Sequence, residues 1–408
     1  MRMKTTIVIG GGAAGLIAAY FSAEKGNNVI LFEKNEKVGK KIYITGKGRC
    51  NLSNFCLPNE FLNNVVNNSK FLYSAIYSFS PEDTVNFFNQ MGLKTKVERG
   101  NRVFPESDKS SDVIKTLLNA CLSVGVDIKL NTSVSEIIVK DGIVCGVKIN
   151  NENYYCDSLI ICTGGLSYPS TGSSGDGYFF AKNVGHTVIK PVSALCGIDI
   201  YGNYCKDLQG LSLKNVTLSA IYNGKTIYSD MGEMLFTHFG ISGPLVLSCS
   251  SLINRIDLKN VELFIDLKPA LNDKVLSDRI LREIKENNRK EFSNVIRSIV
   301  PKAMVGEILL RSNVNGNKNC SEITAAERER VIKTLKCFSL KPKSLRSFNE
   351  SIITSGGVNV KEINPKTMES KIVKGLFFAG EVLDVDCFTG GFNLQTAFST
   401  GRLAGLNS

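Results

Sequence analysis

The sequence predicts an α/β protein in which both chain ends build one domain and the middle of the chain forms an inserted domain, β first and then helical. Near the N-terminus, a β-branched run from Thr5 to Ile9 leads into glycines and an alanine-rich helix. A second strand–turn–helix pattern, "GLFFAGEVLDVDCFTGGFNLQTAFSTGRLAG", occupies 375–405. From about Pro191 to residue 345 the α/β alternation stops. The predicted domains are therefore 1–190 joined with 346–408, and 191–345.

Composition limits the class of protein. A chain of 408 residues with 43% hydrophobic residues suits two or three globular domains. The 12 cysteines include no CxxC pair and no Cys/His cluster, so we expect reduced thiols and no metal site. The basic, apolar N-terminus could be mistaken for a signal peptide, but three adjacent glycines interrupt it. We expect a cytoplasmic protein without membrane association.

A glycine-rich turn follows the first predicted strand. Gly10, Gly12 and Gly15 form a G-x-G-x-x-G pattern between strand and helix. In this pattern the glycines permit a tight turn, a close approach of a diphosphate to the backbone, and close packing of helix on strand. The helix N-terminus attracts phosphates, and Glu33 at the end of the next strand suits the ribose hydroxyls of an adenosine. A turn that binds nothing is the alternative, but strand, helix and acid in register favour a Rossmann-type dinucleotide site.

Other glycine-rich segments favour FAD as the dinucleotide. In the loop 38–54, Arg49 and Asn51 are placed to reach phosphate or ring carbonyls, although a solvated basic loop is the alternative. Near the C-terminus, Glu381 is placed to hold a polyol chain, and a helix from about Asn393 would direct its N-terminus at the flavin ring. The candidate FAD-binding residues are Gly10, Gly12, Ala13, Ala14, Gly15, Glu33, Lys34, Lys41, Gly46, Gly48, Arg49, Asn51, Thr163, Gly164, Gly380, Glu381, Gly391, Phe392 and Asn393.

Over its full length the chain resembles a bacterial flavoprotein family that includes the BaiN-type and aminoacetone-oxidase-like NAD(P)/FAD-dependent oxidoreductases. The motifs behind this resemblance are "IGGGAAG", "ITGKGRCNLSN", "RVFPESDKSSDV", "TGGLSYPSTGSSGDGY", "EMLFTHFGISGP", "TSGGV", "TMESK" and "GLFFAGEVLDVDCFTGGFNLQTA". The resemblance implies a glutathione-reductase-like FAD-binding domain with an insert in its middle. One position departs from the family, which usually has Gly where this chain has Cys387.

The inserted domain begins with strands and continues with helices. "NVTLSAIYNGKTIY" predicts a hairpin that turns at Asn223–Gly224, and "VELFIDL" predicts another strand. Helical periodicity extends from Asn272 to about Phe338. Residues 268–346 contain 18 Lys and Arg against 9 Asp and Glu, a surplus of +9 within a chain of net charge +11. A basic face of this kind favours RNA as a partner, and a solvated Lys-rich helical surface is the equal alternative.

Hydride transfer is the expected chemistry of a flavin with no disulfide motif and no metal cluster. We expect NAD(P)H to act as a transient hydride donor, since no second G-x-G-x-x-G is present. The resemblance implies reduction of 3-oxo-Δ4,6 bile acids, formation of dihydrouridine in ribosomal RNA, or amine oxidation. The first two reactions share the reduction of a ring C=C conjugated to a carbonyl, which is our hypothesis. A small-molecule enone reductase, an rRNA-modifying reductase and a non-catalytic flavin sensor remain as three interpretations.

Such a reduction needs a proton donor beside the flavin. His238, in "LFTHFGISGP", is the first candidate, although a structural histidine is the commoner case. Tyr168 and Asp386 are the other candidate catalytic residues, and Cys387 is a further possible donor. Arg102 is a candidate for holding a substrate oxygen. The remaining histidine, His186, is expected to be structural at a helix end.

Overall fold

The computed structural model describes residues 3–408, which divide into two compact units. The first unit comprises the residues up to Ala194 together with Phe348–Ser408, and the second comprises Leu195–Ser347. Each unit encloses a hydrophobic core of its own.

The strands follow one another along the chain in this order. The first part of the first unit contains β1 (Thr5–Ile9), β2 (Asn28–Phe32), β3 (Ser53–Asn54), β4 (Val65–Asn67), β5 (Thr95–Glu98), β6 (Arg102–Pro105), β7 (Asp127–Lys129), β8 (Glu136–Lys140), β9 (Ile143–Ile149), β10 (Glu152–Tyr155), β11 (Ser158–Ile161) and β12 (Val188–Ala194). The second unit contains β13 (Ile198–Ile200), β14 (Ser212–Tyr222), β15 (Lys225–Phe236), β16 (Gly240–Ser242), β17 (Val261–Asp266), β18 (Phe338–Leu340) and β19 (Pro342–Leu345). The first unit ends with β20 (Ile353–Val358), β21 (Leu376–Phe378) and β22 (Asp386–Cys387).

The α-helices are distributed over both units. Those of the first unit are α1 (Ala13–Glu24), α2 (Lys40–Ile44), α3 (Pro58–Leu62), α4 (Tyr73–Ser78), α5 (Pro81–Gln90), α6 (Ser110–Ser123) and α7 (Asp176–Asn183). Those of the second unit are α8 (Tyr204–Asp207), α9 (Pro244–Ile253), α10 (Asp273–Glu286), α11 (Phe292–Ile299), α12 (Val305–Ser312) and α13 (Ala325–Lys336). The last helix, α14 (Phe392–Asn407), returns to the first unit.

A five-stranded parallel sheet in the order β21-β11-β1-β2-β7 is the centre of the first unit. Its strands are short apolar runs such as "TTIVI" and "SLII", which suit a sheet covered on both faces. β21 comes from the C-terminal segment and pairs with β11, so the two chain ends share one sheet. This confirms the predicted Rossmann-type α/β fold formed from both ends of the chain.

The first and last long helices pack closely because small residues face each other. A Cβ added at Gly401 would lie 2.5 Å from the carbonyl oxygen of Ala14, and one added at Gly405 would lie 2.4 Å from that of Ala18. Backbone therefore touches backbone between α1 and α14. Lys25 Nζ also donates a hydrogen bond of 2.7 Å to the carbonyl of Leu406. The helix that carries the first glycine motif is thus held directly by the C-terminal helix.

The second unit contains a seven-stranded sheet in the order β18-β17-β14-β15-β16-β13-β19. The hairpin β14–β15 turns at Asn223–Gly224, where both residues have positive φ, as the sequence predicts. Helices α10 to α13 follow, in agreement with the predicted helical region. The short strands β18 and β19 then return to the sheet, and the sequence analysis missed them because three or four residues carry too little alternation.

Two predicted helix starts need correction. The sequence predicts a helix over 111–124 with Ser110 or Ser111 as its cap, but α6 begins at Ser110, and Lys109 occupies the N-cap without a capping hydrogen bond from its side chain. The Ser110 hydroxyl instead donates to the carbonyl of Tyr43 at 2.7 Å, a contact that local sequence cannot indicate. The C-terminal helix begins at Phe392, one residue before the predicted start.

Candidate functional site

The glycine-rich turn between β1 and α1 is shaped for close approach to its backbone. Gly10 has φ +102°, and a Cβ at Gly15 would lie 1.8 Å from the Gly10 carbonyl oxygen. At Gly12, by contrast, an added Cβ would meet nothing within 4 Å. Gly12 is also the N-cap of α1, and no side chain caps the helix there. The free N–H groups of the first turn, at Ala13 and Ala14, therefore remain available to an anion.

Glu33 stands beside this turn at the end of β2. It is buried, and its Oε2 accepts a hydrogen bond of 2.7 Å from the Gly11 N–H. Its Oε1 accepts bonds of 2.8 Å from the Asn35 N–H and of 2.6 Å from the Asn35 side-chain amide. A carboxylate has about four lone-pair sites, so the group keeps acceptor capacity for ribose hydroxyls. The neighbouring Lys34 pairs at 2.6 Å with Asp176 at the start of α7.

The loop 38–54 places its candidate residues in two different environments. The Oδ1 of Asn51 is buried and has no hydrogen-bond partner among residues 3–408. A buried amide oxygen without a donor is costly, so this atom fits a group that donates to it. Gly46 and Gly48 have positive φ, and a Cβ at Gly46 would lie 2.9 Å from the Asn51 nitrogen. The glycines therefore shape the loop around Asn51.

Arg49 is engaged by protein side chains. Its Nη2 lies 2.5 Å from an oxygen of Glu98 and 2.6 Å from one of Asp108, and the guanidinium stacks on Phe104 at 4.1 Å. Hydrogen bonds from Arg49 lower the pKa of Glu98, and bonds from Lys96 and then Arg49 lower that of Asp108. In these contacts Arg49 fastens the loop to the hairpin β5–β6. Its expected contact with phosphate or ring carbonyls remains a prediction.

A polar cluster surrounds Glu381, immediately after β21. Lys41 Nζ lies 2.6 Å from Glu381 Oε2 and 2.5 Å from the Ser167 hydroxyl. Glu381 Oε1 accepts bonds from the Thr354 N–H at 2.8 Å and from the Ser167 hydroxyl at 2.9 Å. The preceding Gly380 has φ +80°, and a Cβ there would lie 2.8 Å from the Cβ of Ala14. Two predicted residues from distant segments, Lys41 and Glu381, therefore meet beside the glycine-rich turn.

Two buried hydroxyls near this cluster lack hydrogen-bond partners within the described chain. One belongs to Thr163, which follows β11, and the other to Tyr178 in α7. Burial raises the pKa of Tyr178, and the carboxylates of Glu381 and Asp384 raise it further. Gly164 has φ +72°, which turns the chain sharply after Thr163. Sequence reasoning missed Tyr178, Ser167 and Thr354, although the motifs "TGSSGDGY", "TGGLSYPS" and "TSGGV" contain them.

The start of α14 forms a second uncapped helix N-terminus. Gly391 is its N-cap, has φ +100°, and would place a Cβ 2.2 Å from the Ser53 carbonyl oxygen. No side chain caps this helix either. Asn393 Oδ1 accepts from the Cys387 N–H at 3.0 Å, so Asn393 holds the preceding loop instead of pointing freely outwards. The Phe392 ring packs against Phe61, with ring centres 5.3 Å apart.

The structure places the candidate proton donors in different settings. Asp386 is buried, and its Oδ1 accepts from Asn67 at 2.7 Å and from Ser355 at 3.0 Å. Tyr168 is half-buried with φ +52°. His238 lies in the second unit between β15 and β16, where its ring packs edge-on against Phe239 at 5.2 Å. Their catalytic roles remain predictions.

Three further residues can be located. The Cys387 thiol is buried 3.4 Å from the Thr396 hydroxyl, and burial raises its pKa to about 12. Arg102 is exposed and donates to the carbonyl of Arg99. His186 is buried, with Nδ1 3.1 Å from Glu362 and Nε2 2.7 Å from the Ser370 hydroxyl, as a structural residue would be.

Comparison with known proteins identifies the family. The model of the "HI0933-like protein Rossmann domain" matches residues 4–407. The chain belongs to the HI0933-like family. A 3-dehydro-bile acid delta(4,6)-reductase of Clostridium scindens is 30% identical over 98% of this chain and 97% of its own. Ribosomal RNA dihydrouridine synthases of Haemophilus influenzae and Escherichia coli are 31% and 29% identical, over 100% and 98% of this chain and 98% and 96% of their own lengths.

Solved structures agree on the fold of this HI0933-like protein. The 3-ketosteroid-Δ4-(5α)-dehydrogenase of Rhodococcus jostii RHA1 superposes with a TM-score of 0.53 at 14% identity, covering 98% of this chain and 96% of that one. The fold is the Rossmann-type FAD-binding fold, and the chain is an FAD-dependent oxidoreductase. None of the helices within residues 3–408 combines the length and apolarity that crossing a membrane requires. Over the same residues, no group of three or more His, Cys, Asp or Glu side chains is arranged to hold a metal ion.

The residues present fit FAD. Two uncapped helix N-termini begin at Gly12 and Gly391, and the turn at Gly12 has open space where a Cβ would stand. The buried Asn51 oxygen and Thr163 hydroxyl lack protein partners within residues 3–408. Glu33 retains acceptor capacity beside the first turn. The helix N-termini would attract anionic groups of the dinucleotide, and the oxygens of Asn51 and Glu33 would accept hydrogen bonds from its N–H and O–H groups.

Proposed function

We propose that this oxidoreductase uses NAD(P)H to reduce a ring C=C conjugated to a carbonyl. Support comes from relatives that match this chain over 98% and 100% of its length at 30% and 31% identity. One is named for reducing a 3-dehydro-bile acid and the others for forming dihydrouridine. Both names describe addition of two hydrogens across a double bond conjugated to a carbonyl. Their shared chemistry is the observation that carries the proposal.

In this proposal the first unit holds the cofactor. The α1 N-terminus at Gly12 binds the diphosphate, Glu33 accepts from the adenosine ribose, and Glu381 accepts from the polyol chain. The α14 N-terminus at Gly391 stabilises negative charge on the ring. When bound, FAD supplies a two-electron centre that takes hydride from a nicotinamide and returns it to a carbon. Asn51 contributes a buried acceptor to this binding site.

The second unit acts as the substrate or cap domain, and His238 donates the proton to the α carbon. His238→Ala should leave the reduction of the flavin by NAD(P)H unchanged, because that step needs no proton donor of this kind. Reoxidation by the substrate should slow by about 10²–10⁴-fold, which is the usual contribution of a general acid. Anaerobic stopped-flow absorbance measures both half-reactions. His186→Gln is the matched control; equal rates in both variants would make His238 structural.

The best small-molecule substrate is a 3-oxo-Δ4 or Δ4,6 bile acid. Purified, FAD-loaded protein is reduced with NADH or NADPH without oxygen and then mixed with the steroid. We expect rapid return of the oxidised flavin spectrum and a product two hydrogens heavier. A reduced flavin that the enone leaves unchanged would remove the steroid from consideration. A flavin that neither nicotinamide bleaches would refute the reductase and favour a flavin-binding sensor.

The second candidate is a uridine of ribosomal RNA, and the charge of the second unit favours it. Residues 268–346 carry the surplus of +9, and on α10 the cationic side chains of Lys274, Arg282 and Lys285 are exposed. Some other cations of this region are engaged internally, such as Arg311 with Glu307 and Lys318 with Glu327. An enzyme with this substrate would work in the cytoplasm, where ribosomes assemble.

Two measurements separate this candidate from the steroid. Mass spectrometry of rRNA from a deletion strain should show the loss of one dihydrouridine, and an unchanged nucleoside profile would refute the RNA substrate. Substitution of Lys274, Arg282 and Lys285 by Glu, which reverses their charge, should weaken RNA binding and reduce the salt dependence of that binding. The matched control changes three exposed lysines of the first unit, Lys94, Lys115 and Lys140, to Glu. Equal loss of binding in both variants would indicate non-specific attraction.

A further inference from the structure

Gln395 is a buried polar residue of α14, one turn inside the helix. Its side chain is 0% exposed. The Gln395 N–H donates to the carbonyl of Gly391, the N-cap, at 3.1 Å and so begins the hydrogen bonding of the helix. The N–H groups of residues 392–394 precede this bond, and they are the groups that an uncapped helix presents at its start. Whatever fixes Gln395 therefore also fixes where these N–H groups point.

Both ends of the Gln395 amide are bound by other parts of the first unit. Its Oε1 accepts a hydrogen bond of 2.6 Å from the Ser53 hydroxyl in β3. Its Nε2 lies 3.0 Å from the Phe79 carbonyl oxygen, just before α5, and 2.8 Å from the Thr84 hydroxyl within α5. The Ser399 hydroxyl, one turn further along α14, is 3.0 Å from the same nitrogen. A movement of this amide would leave buried polar groups unpaired, which is costly, so the network holds α14 in one position.

The strand β3 also contacts the turn that leads into α14. A Cβ added at Gly391 would lie 2.2 Å from the Ser53 carbonyl oxygen, so backbone meets backbone at the helix start. Asn54, the other residue of β3, donates from its side-chain amide to the Gly390 carbonyl at 3.0 Å. The turn and the first helical turn are thus held by the same two residues, and Gln395 supplies the contact from within the helix.

We infer that Gln395 is a positioning residue which, through the α14 N-terminus, sets the reduction potential of bound FAD. This inference rests on the proposed placement of that N-terminus at the flavin ring. The partial positive charge of a helix start stabilises a nearby anion, and the effect falls off within the first turn. A helix start held in place by Gln395 therefore favours the reduced ring, on which negative charge develops. A start that moves away favours the oxidised ring.

The reduction potential of the FAD-loaded protein tests this inference. It is measured without oxygen, by equilibration with a dye of known potential. Gln395→Leu removes the amide that binds Ser53 and Thr84, so the start of α14 is no longer held. We expect the equilibrium constant for reduction to fall by about two- to tenfold, and tenfold corresponds to a potential about 30 mV lower for two electrons. Ser53→Ala removes one of these bonds from the opposite side and should lower the potential by less.

Ser399→Ala is the matched control. Ser399 is also buried in α14, and its hydroxyl donates to the Phe79 carbonyl at 2.7 Å, one turn further from the helix start. Gln395 keeps its bonds to Ser53 and Thr84 in this variant, so we expect destabilisation of the fold without a change in potential. A potential lowered as far in Ser399→Ala as in Gln395→Leu would show general loosening of the helix and would overturn the inference.

Asn393→Asp distinguishes a failure of this inference from a failure of the proposed placement. Asn393 lies in the first turn of α14, and the change adds a negative charge there. If the helix start lies at the ring, that charge should lower the potential whatever Gln395 does. A lowered potential in Asn393→Asp alone, with wild-type potentials in Gln395→Leu and Ser53→Ala, would overturn the role of Gln395 and leave the placement standing. Wild-type potentials in all three variants would refute both. No enone or RNA enters the measurement, so its outcome is independent of the substrate.

Discussion

Substitution of Gly405 by alanine tests whether the two chain ends are held together by backbone contact. An added Cβ would lie 2.4 Å from the Ala18 carbonyl oxygen, whereas about 3.4 Å is the distance at which such atoms normally touch. Helices α1 and α14 would therefore have to separate by about 1 Å at this point, and the Ala18 carbonyl cannot rotate away because it belongs to the helix. Overpacking of this kind costs about 1–3 kcal/mol.

Alanine at position 405 also has a stabilising effect through its higher helix propensity, and a second variant measures that effect alone. Alanine is better than glycine inside a helix by about 1 kcal/mol. Gly306 in α12 is exposed, and a Cβ there would meet nothing within 4 Å, so Gly306→Ala should stabilise its helix by that amount. We expect Gly405→Ala to lower the opening free energy of α14 by up to about 2 kcal/mol, because the clash outweighs the propensity. The two variants should thus differ in sign.

Hydrogen exchange followed by mass spectrometry is the suitable assay, since it reports each helix separately in a protein with two units. Amides of α1 and α14 should exchange faster in Gly405→Ala, and amides of α12 should exchange more slowly in Gly306→Ala. If α14 in Gly405→Ala exchanges as slowly as in the wild type, the helices do not touch through their backbones at this position. The shared core of the two chain ends would then need another explanation.

Three further outcomes are expected. Gly12→Ala should leave the thermal unfolding of the apoprotein unchanged, because the added Cβ would meet open space, but it should weaken FAD binding in a fluorescence titration. Gly15→Ala should instead lower the melting temperature, since its Cβ would overlap the Gly10 carbonyl. Thr163→Val should stabilise the apoprotein by about 1 kcal/mol, because it removes a buried hydroxyl that has no hydrogen-bond partner within residues 3–408. The same variant should weaken FAD binding. An unchanged affinity for FAD would show that this hydroxyl does not contact the cofactor. Burial lowers the pKa of His186 despite its contact with Glu362, so the unfolded chain takes up a proton before the folded protein does as the pH falls below about 6.5, and folding stability should decline from that pH downwards. His186→Gln should flatten this decline in denaturant titrations at a series of pH values. A pH dependence of stability that the variant leaves unaltered would contradict this expectation.

Short-range patterns were enough to predict the elements that surround the cofactor site. The strand Thr5–Ile9, the glycine turn after it and a strand at the start of the segment 375–405, which the structure shows as Leu376–Phe378, were predicted from local periodicity and glycine spacing. The hairpin turn at Asn223–Gly224 was predicted in the same way, because few residue types tolerate positive φ. Boundaries that depend on distant contacts were less accurate, as at Ser110, whose hydroxyl bonds to Tyr43.

Partners of the site residues could not be predicted from the sequence. Lys41 and Glu381 are separated by 340 positions and nevertheless form an ion pair at 2.6 Å. Arg49 and Asn51 lie two residues apart in the same loop. Arg49 nevertheless meets two acids, Glu98 at the end of β5 and Asp108 after β6, while the Asn51 oxygen receives no partner within residues 3–408. Such differences depend on which segments fold back beside the loop.

By itself, the sequence determined that both chain ends form one Rossmann-type α/β domain and that a basic region is inserted between them. It could do so because the period of the hydrophobic residues and the positions of the glycines are local properties of the chain. Only the tertiary structure decided which side chains meet. It placed Glu381 against Lys41, and it set the His186 ring between Glu362 and Ser370. The physical reason is that an ion pair or a buried hydrogen bond depends on distances between segments, and packing of the whole core fixes those distances.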